Sequence, residues 1–259
     1  MIIDDPSQAI DDICSFIKRV FKDCQKERVV IAVSGGIDSA LCLTILARVF
    51  TPANIKVILM PYHQQAMTDA YHICQFNQLE SSLLVHDIGE VVDRIAAGLN
   101  VSDDQLRLGN IKARVRMIHL YDYAKKHSAL VCGTENRSEH LLGYYTRYGD
   151  EASDLELLRH LYKTQVRQLA KHLNLPDSII NKAPSADLWL DQSDEQELGF
   201  SYQHADIVLS LWEQHPNQVE LVLDQATNIH QLSPVIVNRI IKRIQLFSFK
   251  HQVPYCLTD

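Results

Sequence analysis

Four apolar runs without alternation punctuate the first half of the chain: RVVIAV at 28–33, IKVILM at 55–60, SLLVHDI at 82–88 and ALVCG at 129–133. Such continuous runs mark strands covered on both faces, as in a parallel sheet. Between them, apolar residues recur at helical spacing over 38–50, 67–79 and 111–126. The alternation predicts an α/β fold: a doubly wound, mostly parallel sheet flanked by helices in a Rossmann-like three-layer sandwich. Before the first run, 7–24 places Ile10, Ile13, Phe16, Ile17 and Val20 on one face of a leading helix. After Leu155 the pattern turns helical, with YKTQVRQLAKHL and then SPVIVNRIIKRIQLF, in which Ser233 and Pro234 read as N-cap and N1. In the latter, Val237, Ile240, Ile241 and Ile244 form one stripe, for a core or for a second copy of the chain. The stretch 183–199 is the longest expected loop and a candidate lid.

Composition narrows the classes. With 259 residues and 46% hydrophobic content, the chain supports one large domain over 1–259. A formal charge of -7 argues against a nucleic-acid partner. The longest apolar candidate, ALCLTILARVF, is broken by Arg48, and the acidic start MIIDDPSQAI lacks a targeting pattern, so no membrane partner is expected. Cys14, Cys24, Cys42, Cys74, Cys132 and Cys256 include no Cys-x-x-Cys pair and read as reduced thiols of a cytoplasmic protein. No pair of histidines has zinc-helix spacing, and no G-x-S-x-G elbow occurs.

The chemistry starts at AVSGGIDSAL, 32–41, where a glycine loop joins a buried strand to a helix. Backbone amides at the helix start, its dipole and the absence of side chains at glycine together make a phosphate cradle. The order S-G-G-x-D-S has an acid where the mononucleotide loop has lysine, which makes sense if a divalent cation bridges Asp38 to phosphate. The hexapeptide resembles the loop of the N-type ATP pyrophosphatases, which split ATP between its α and β phosphates.

Three further segments select within that group: GNIKARVRM at 109–117, GTENRSEHLLGYYTRYGD at 133–150, and YKTQVRQLA followed by KAPSADLW and DEQELG. With the loop, they resemble ammonia-dependent NAD⁺ synthetase from about Val29 to Gly199. The resemblance implies amidation of nicotinic acid adenine dinucleotide (deamido-NAD⁺) by ammonia, with ATP and Mg²⁺, through an acyl-adenylate, in a homodimer. It places ATP at Ser34, Gly35, Gly36, Ile37, Asp38, Ser39, Thr134, Lys163 and Ser185. It places deamido-NAD⁺ at Arg114, Arg147, Asp154 and Lys250, metal at Asp38 and Glu139, and the main catalytic burden on Asp38 and Lys163.

Read by themselves, LGN before Ile111 is a turn ending in an N-cap, and Lys112 and Arg116 form a solvated basic face early in the next helix. Trp189 and Trp212 are expected to pack rather than stack on ligand. The chain departs from the family pattern at Arg147, usually lysine, and at Glu135, usually small or aspartate. LELLRHL follows Asp154 in place of I-N-P-h-x-x-L, and Phe249-Lys250 replaces a His-Lys pair. These departures leave three alternatives open: another carboxylate acceptor, a nucleotide-binding homologue without turnover, and a tRNA-thiolating enzyme, the last disfavoured by charge and cysteine spacing.

Overall fold

The computed structural model describes residues 2–189, 191–252, 254, 255 and 257. Its strands are β1 (Arg28–Ala32), β2 (Ile55–Leu59), β3 (Leu83–Val85), β4 (Ala129–Gly133) and β5 (Leu155–Glu156), all parallel, in the order β3-β2-β1-β4-β5. The helices in chain order are α1 (Pro6–Asp23), α2 (Ile37–Val49), α3 (Thr68–Phe76), α4 (Gly89–Gly98), α5 (Gln105–His127) and α6 (Arg137–Leu142). They continue with α7 (Lys163–His172), α8 (Asp177–Ile180), α9 (Asp194–Leu198), α10 (Tyr202–Gln214), α11 (Val219–Asn228) and α12 (Pro234–Phe247).

The unbroken apolar runs are explained by cover on both sides of the sheet. Val29 and Ile31 face a core shared with α1, α2 and α7, whereas Val30, Ile58 and Val131 face Val92, Val115 and Leu120 of α4 and α5. A third core joins α6 to α10, α11 and α12, where the Val237, Ile240, Ile241 and Ile244 stripe is buried within the chain. The sheet grows from β1 to β2 and β3 on one side, then crosses to β4 and β5 on the other. The loops after β1 and β4 therefore diverge at the carboxyl edge, opening the crevice where such sheets bind ligands.

Several boundaries differ from expectation. Leu108, Gly109 and Asn110 lie inside α5, which starts two turns earlier because Asp104 caps it by accepting from the Arg107 amide. Lys112 is not solvated: it is 6% exposed, with its ammonium 3.8 Å from the centre of the Tyr62 ring, and Arg116 is also drawn inward. The helical pattern expected after Leu155 is preceded by the short strand β5, too brief to announce itself by periodicity. On α1, Phe21 rather than Val20 completes the buried face. The expected loop 183–199 closes in α9. The five described cysteines are free, and Cys256 lies outside the described residues.

Candidate active site

The glycine loop is folded by its own side chains. The Ser34 hydroxyl accepts from the Gly36 amide at 3.2 Å, the Ser39 hydroxyl accepts from the Ser34 amide at 3.3 Å, and Ser39 donates to the Gly36 carbonyl at 3.0 Å. Gly35 sits at φ +87, and a Cβ there would stand 2.8 Å from Asp69 Cβ at the start of α3, so glycine is required twice over. Gly36 is the N-cap of α2, and among the described residues no side chain makes a capping hydrogen bond there. That leaves a helix start open to an anion.

Asp38 in the first turn of α2 meets residues from β4's far side. Asn136 donates to Asp38 Oδ1 at 2.8 Å, and Lys163 Nζ bridges Asp38 Oδ2 at 2.6 Å and Glu139 Oε1 at 2.9 Å. Asn136 and Glu139 form the capping box that starts α6, so the local rule that begins this helix also fixes Glu139. Lys163 opens α7 and is 3% exposed. The α7 start is held from α10: Asp206 accepts from the Thr164 amide at 2.8 Å and from the Ser138 hydroxyl, which in turn accepts from the Lys163 amide at 2.9 Å.

One ammonium thus faces two carboxylates, with Asp194 of α9 close behind, bonded to the hydroxyls of Tyr144 and Tyr202. Burial works against the charge on Lys163, but Asp38 and Glu139 hold its ammonium well above the usual lysine range. Burial drives the Glu139 carboxyl upward, Lys163 restrains it, and Asp38 adds to the rise. An excess of carboxylate over cation beside an open helix start suits a Mg²⁺ that completes its shell with phosphate oxygens and water. Among the described residues, no group of three or more His, Cys, Asp or Glu forms a cage for a metal alone.

These groups line one cavity of about 540 Å³. Ser34, Gly36, Asp38, Ser39, Thr134, Glu139, Lys163 and Ser185 all border it, with Ile58, Met60, Leu120 and Val131 as its apolar wall. Gly35 and Ile37 shape the loop from behind. The 183–189 stretch lies across the cavity: Gln65 donates to the Asp187 carbonyl at 3.1 Å, Lys112 to the Leu188 carbonyl at 2.6 Å, and Arg116 steadies Gln65 at 3.0 Å. Gly109 lets this segment settle on α5, since a Cβ would meet Leu188 at 3.1 Å and Trp189 at 3.4 Å. Trp189 packs there, and Trp212 packs against the third core.

At the other end the cavity is bordered by Tyr144, Tyr145, Arg243, Phe247 and Lys250. Lys250 donates to the carbonyls of Gly143 and Tyr145 at 2.7 and 2.6 Å. Arg147 lies over Phe249 at 5.2 Å, outside the lining, and its carbonyl accepts from the exposed Arg114 at 3.2 Å. Asp154, also outside the lining, pairs with β4 through the Val131 amide at 2.7 Å.

The departures from the family pattern resolve into partners. Glu135, 5% exposed, accepts from Arg159 of the LELLRHL segment at 2.6 Å, with His140 at 3.2 Å. Arg147 and Phe249, two other departures, face each other. Asn136, Tyr144, Asp194, Tyr202, Asp206 and Arg243 had not been singled out from sequence. The capping box around Asn136 was legible in principle; the rest are brought in by helices far along the chain.

The NAD synthase family model matches residues 9–254. An NH(3)-dependent NAD(+) synthetase of Chlorobium phaeovibrioides is 41% identical over 204 residues, 78% of this chain and 73% of the relative. That of Campylobacter jejuni is 38% identical over 252 residues, 95% and 96% of the two chains. The solved C. jejuni NH3-dependent NAD synthetase superposes with a TM-score of 0.80 at 31% identity, covering 99% of this chain and 100% of that one. The NMN synthetase of Francisella tularensis superposes equally, TM-score 0.80 at 29% identity, with 98% of each chain covered.

Proposed function

This chain belongs to the NAD synthase family, and on that premise we propose how its residues divide the work. The chain catalyses the ATP-dependent amidation of deamido-NAD⁺ by ammonia, giving NAD⁺. A carboxylate does not react with ammonia directly, so it is first activated. The nicotinate carboxylate attacks the α-phosphorus of ATP, forming a C–O–P bond as the α–β phosphoanhydride breaks and pyrophosphate leaves. Ammonia then adds to the acyl carbon, AMP leaves with the C–O bond electrons, and the nitrogen loses a proton to give the amide.

The observation that carries this reading is Lys163 clamped between Asp38 and Glu139 beside the open α2 start. In this reading Ser34, Gly35, Gly36, Ile37 and Ser39 form the pyrophosphate cradle, and Thr134 and Ser185 border the nucleotide. Mg²⁺ held by Asp38 and Glu139 would withdraw charge from the phosphate oxygens. Lys163, already charged and fixed, offsets the charge that collects on departing pyrophosphate without reorganising. The apolar wall of Ile58, Met60, Leu120 and Val131 takes the adenine. Catalysis is positioning and charge neutralisation, with no protein nucleophile.

We assign deamido-NAD⁺ to the Tyr144, Tyr145 and Lys250 end, with Arg114, Arg147 and Asp154 contributing where a second copy completes the site. The outer faces of α4 and α5 expose Val91, Ile95, Leu99, Leu106 and Ile118, an apolar surface for a homodimer. Among the described residues no helix is long and apolar enough to cross a membrane, and the free thiols fit a cytoplasmic enzyme.

The deciding experiment supplies ATP, Mg²⁺, ammonium and deamido-NAD⁺ to the purified protein and omits each in turn. NAD⁺ and pyrophosphate formed in equal amounts, only in the complete mixture, are expected; ATP binding without either product would overturn the catalytic assignment. The equal superposition on an NMN synthetase supports a second acceptor, the mononucleotide. Adding nicotinic acid mononucleotide in competition with deamido-NAD⁺ measures which acceptor has the higher kcat/KM.

A further inference from the structure

Two cations, Lys250 and Arg243, border the acceptor end of the cavity, Arg147 stands outside it, and the three side chains are committed differently. Two of the three ammonium donors of Lys250 go to the Gly143 and Tyr145 carbonyls. Arg147 lies over Phe249 and Tyr148, away from the lining. Arg243 of α12 is held at its Nε by the Leu142 carbonyl at 3.1 Å, and its guanidinium lies over Tyr144 at 5.3 Å and Phe247 at 4.5 Å. Among the described residues, neither Nη atom of Arg243 donates a hydrogen bond and no carboxylate stands within ion-pair distance of it.

Glu197, an acid in the same lining, is occupied by the Tyr144 hydroxyl at 2.9 Å and by Gln192 at 3.3 Å. Tyr145, also in the lining, buries its hydroxyl without a hydrogen-bond partner among the described residues. A guanidinium fixed at Nε and stacked on two rings, with both Nη groups open, is preorganised for a two-oxygen anion. The nicotinate carboxylate itself must lie at the reacting end, by Lys163. The Tyr144 ring spans the interval, its hydroxyl on Asp194 beside Lys163 and its face under Arg243.

We propose that Arg243 is a specificity-determining substrate contact that binds the phosphate of the acceptor's nicotinate nucleotide half. The inference rests on the amidation reading above. It makes the phosphate, present in both mononucleotide and dinucleotide, the anchor that sets the acceptor's depth in the cavity.

The test pairs truncation of the residue with truncation of the substrate. Wild type and Arg243→Gln are compared with deamido-NAD⁺, nicotinic acid mononucleotide and the phosphate-free nicotinic acid riboside, the last scored as substrate or as competitive inhibitor. Expected is a rise of about tenfold in KM for both phosphate-bearing acceptors, no change for the riboside, and KM for ATP within about twofold of wild type. Arg243→Lys, which keeps the charge, recovers part of the loss, and thermal melts of both variants report folding. An equal loss for riboside and nucleotides would overturn the assignment, as would an unchanged nucleotide KM. A wild-type protein that makes no amide from either nucleotide would sink the amidation reading instead, so the two failures are distinguishable.

Discussion

The two ends of the cavity are built by different means. At the phosphate end, Ser34, Gly36 and Ser39 bond among themselves within six residues of chain, and the strand-loop-helix unit carries its own geometry. At the acceptor end, Lys250 reaches back over a hundred residues to Gly143 and Tyr145, and Arg243 reaches Leu142. The loop's own geometry is local, although the Lys163 clamp that completes it reaches Asp38 across 125 residues. On the proposed assignment, acceptor choice is spread over residues at or after α6, α9 and α12, where one substitution would change recognition without touching the loop.

The largest effect that would sharpen this contrast comes from Asp38→Asn. It removes a carboxylate from the Lys163 clamp while keeping the shape, and turnover should fall at least about 10³-fold with little change in melting temperature. Pyrophosphate release and a thermal melt measure the two. Near-normal turnover would remove Asp38 from the metal and phosphate site.

Gly35→Ala comes next, since it combines positive φ with a 2.8 Å approach to Asp69. A stability loss of about 1–3 kcal/mol is expected, together with weakened ATP binding and unchanged binding of deamido-NAD⁺ by calorimetry. Equal loss of both ligands would break the division into two ends. Lys112→Met should act more mildly: with the Leu188 carbonyl released, KM for ATP rises about fivefold and Trp189 emission shifts, while kcat holds. Unmoved emission would mean that the bond does not secure the segment.

The smallest effect on activity concerns Glu156 of β5, which stands outside the cavity lining. Burial lifts its carboxyl from an ordinary 4.5 to about 8, with Glu135 adding to the rise and Ser153 opposing it. Between those values the folded chain keeps a proton that the unfolded chain has lost. Its contribution is therefore fully present below 4.5 and declines as pH rises through about 8, with a slope of at most about 1.4 kcal/mol per pH unit. Urea titrations of Glu156→Gln across pH 5–8 should show a flatter profile than wild type, with ATP affinity unchanged; parallel profiles would exclude the buried proton.

Legibility follows the same division. The four apolar runs and the glycine loop between β1 and α2 are readable because strand burial and the loop's internal hydrogen bonds depend on neighbours in sequence. The two-residue β5 is not, being too short to show a period, and the early start of α5 is hidden behind Gly109, on which Leu188 and Trp189 pack. Lys112 looked solvated because its partner, the Leu188 carbonyl, lies 76 residues away. Glu135 and Arg159 looked like separate departures, yet only the fold shows that they form one ion pair.

Sequence alone determined the parallel α/β class, the strand-loop-helix unit at 28–49 and, through the motifs spread over 29–199, the family. These rest on local periodicity, glycine stereochemistry and fixed spacing, all properties of contiguous residues. Tertiary structure alone decided that Lys163 sits between Asp38 and Glu139, that Asp206 anchors the start of α7, and that Arg243 rather than Arg147 borders the cavity. Each joins residues from separate helices, and a long-range contact leaves no period in the chain that makes it.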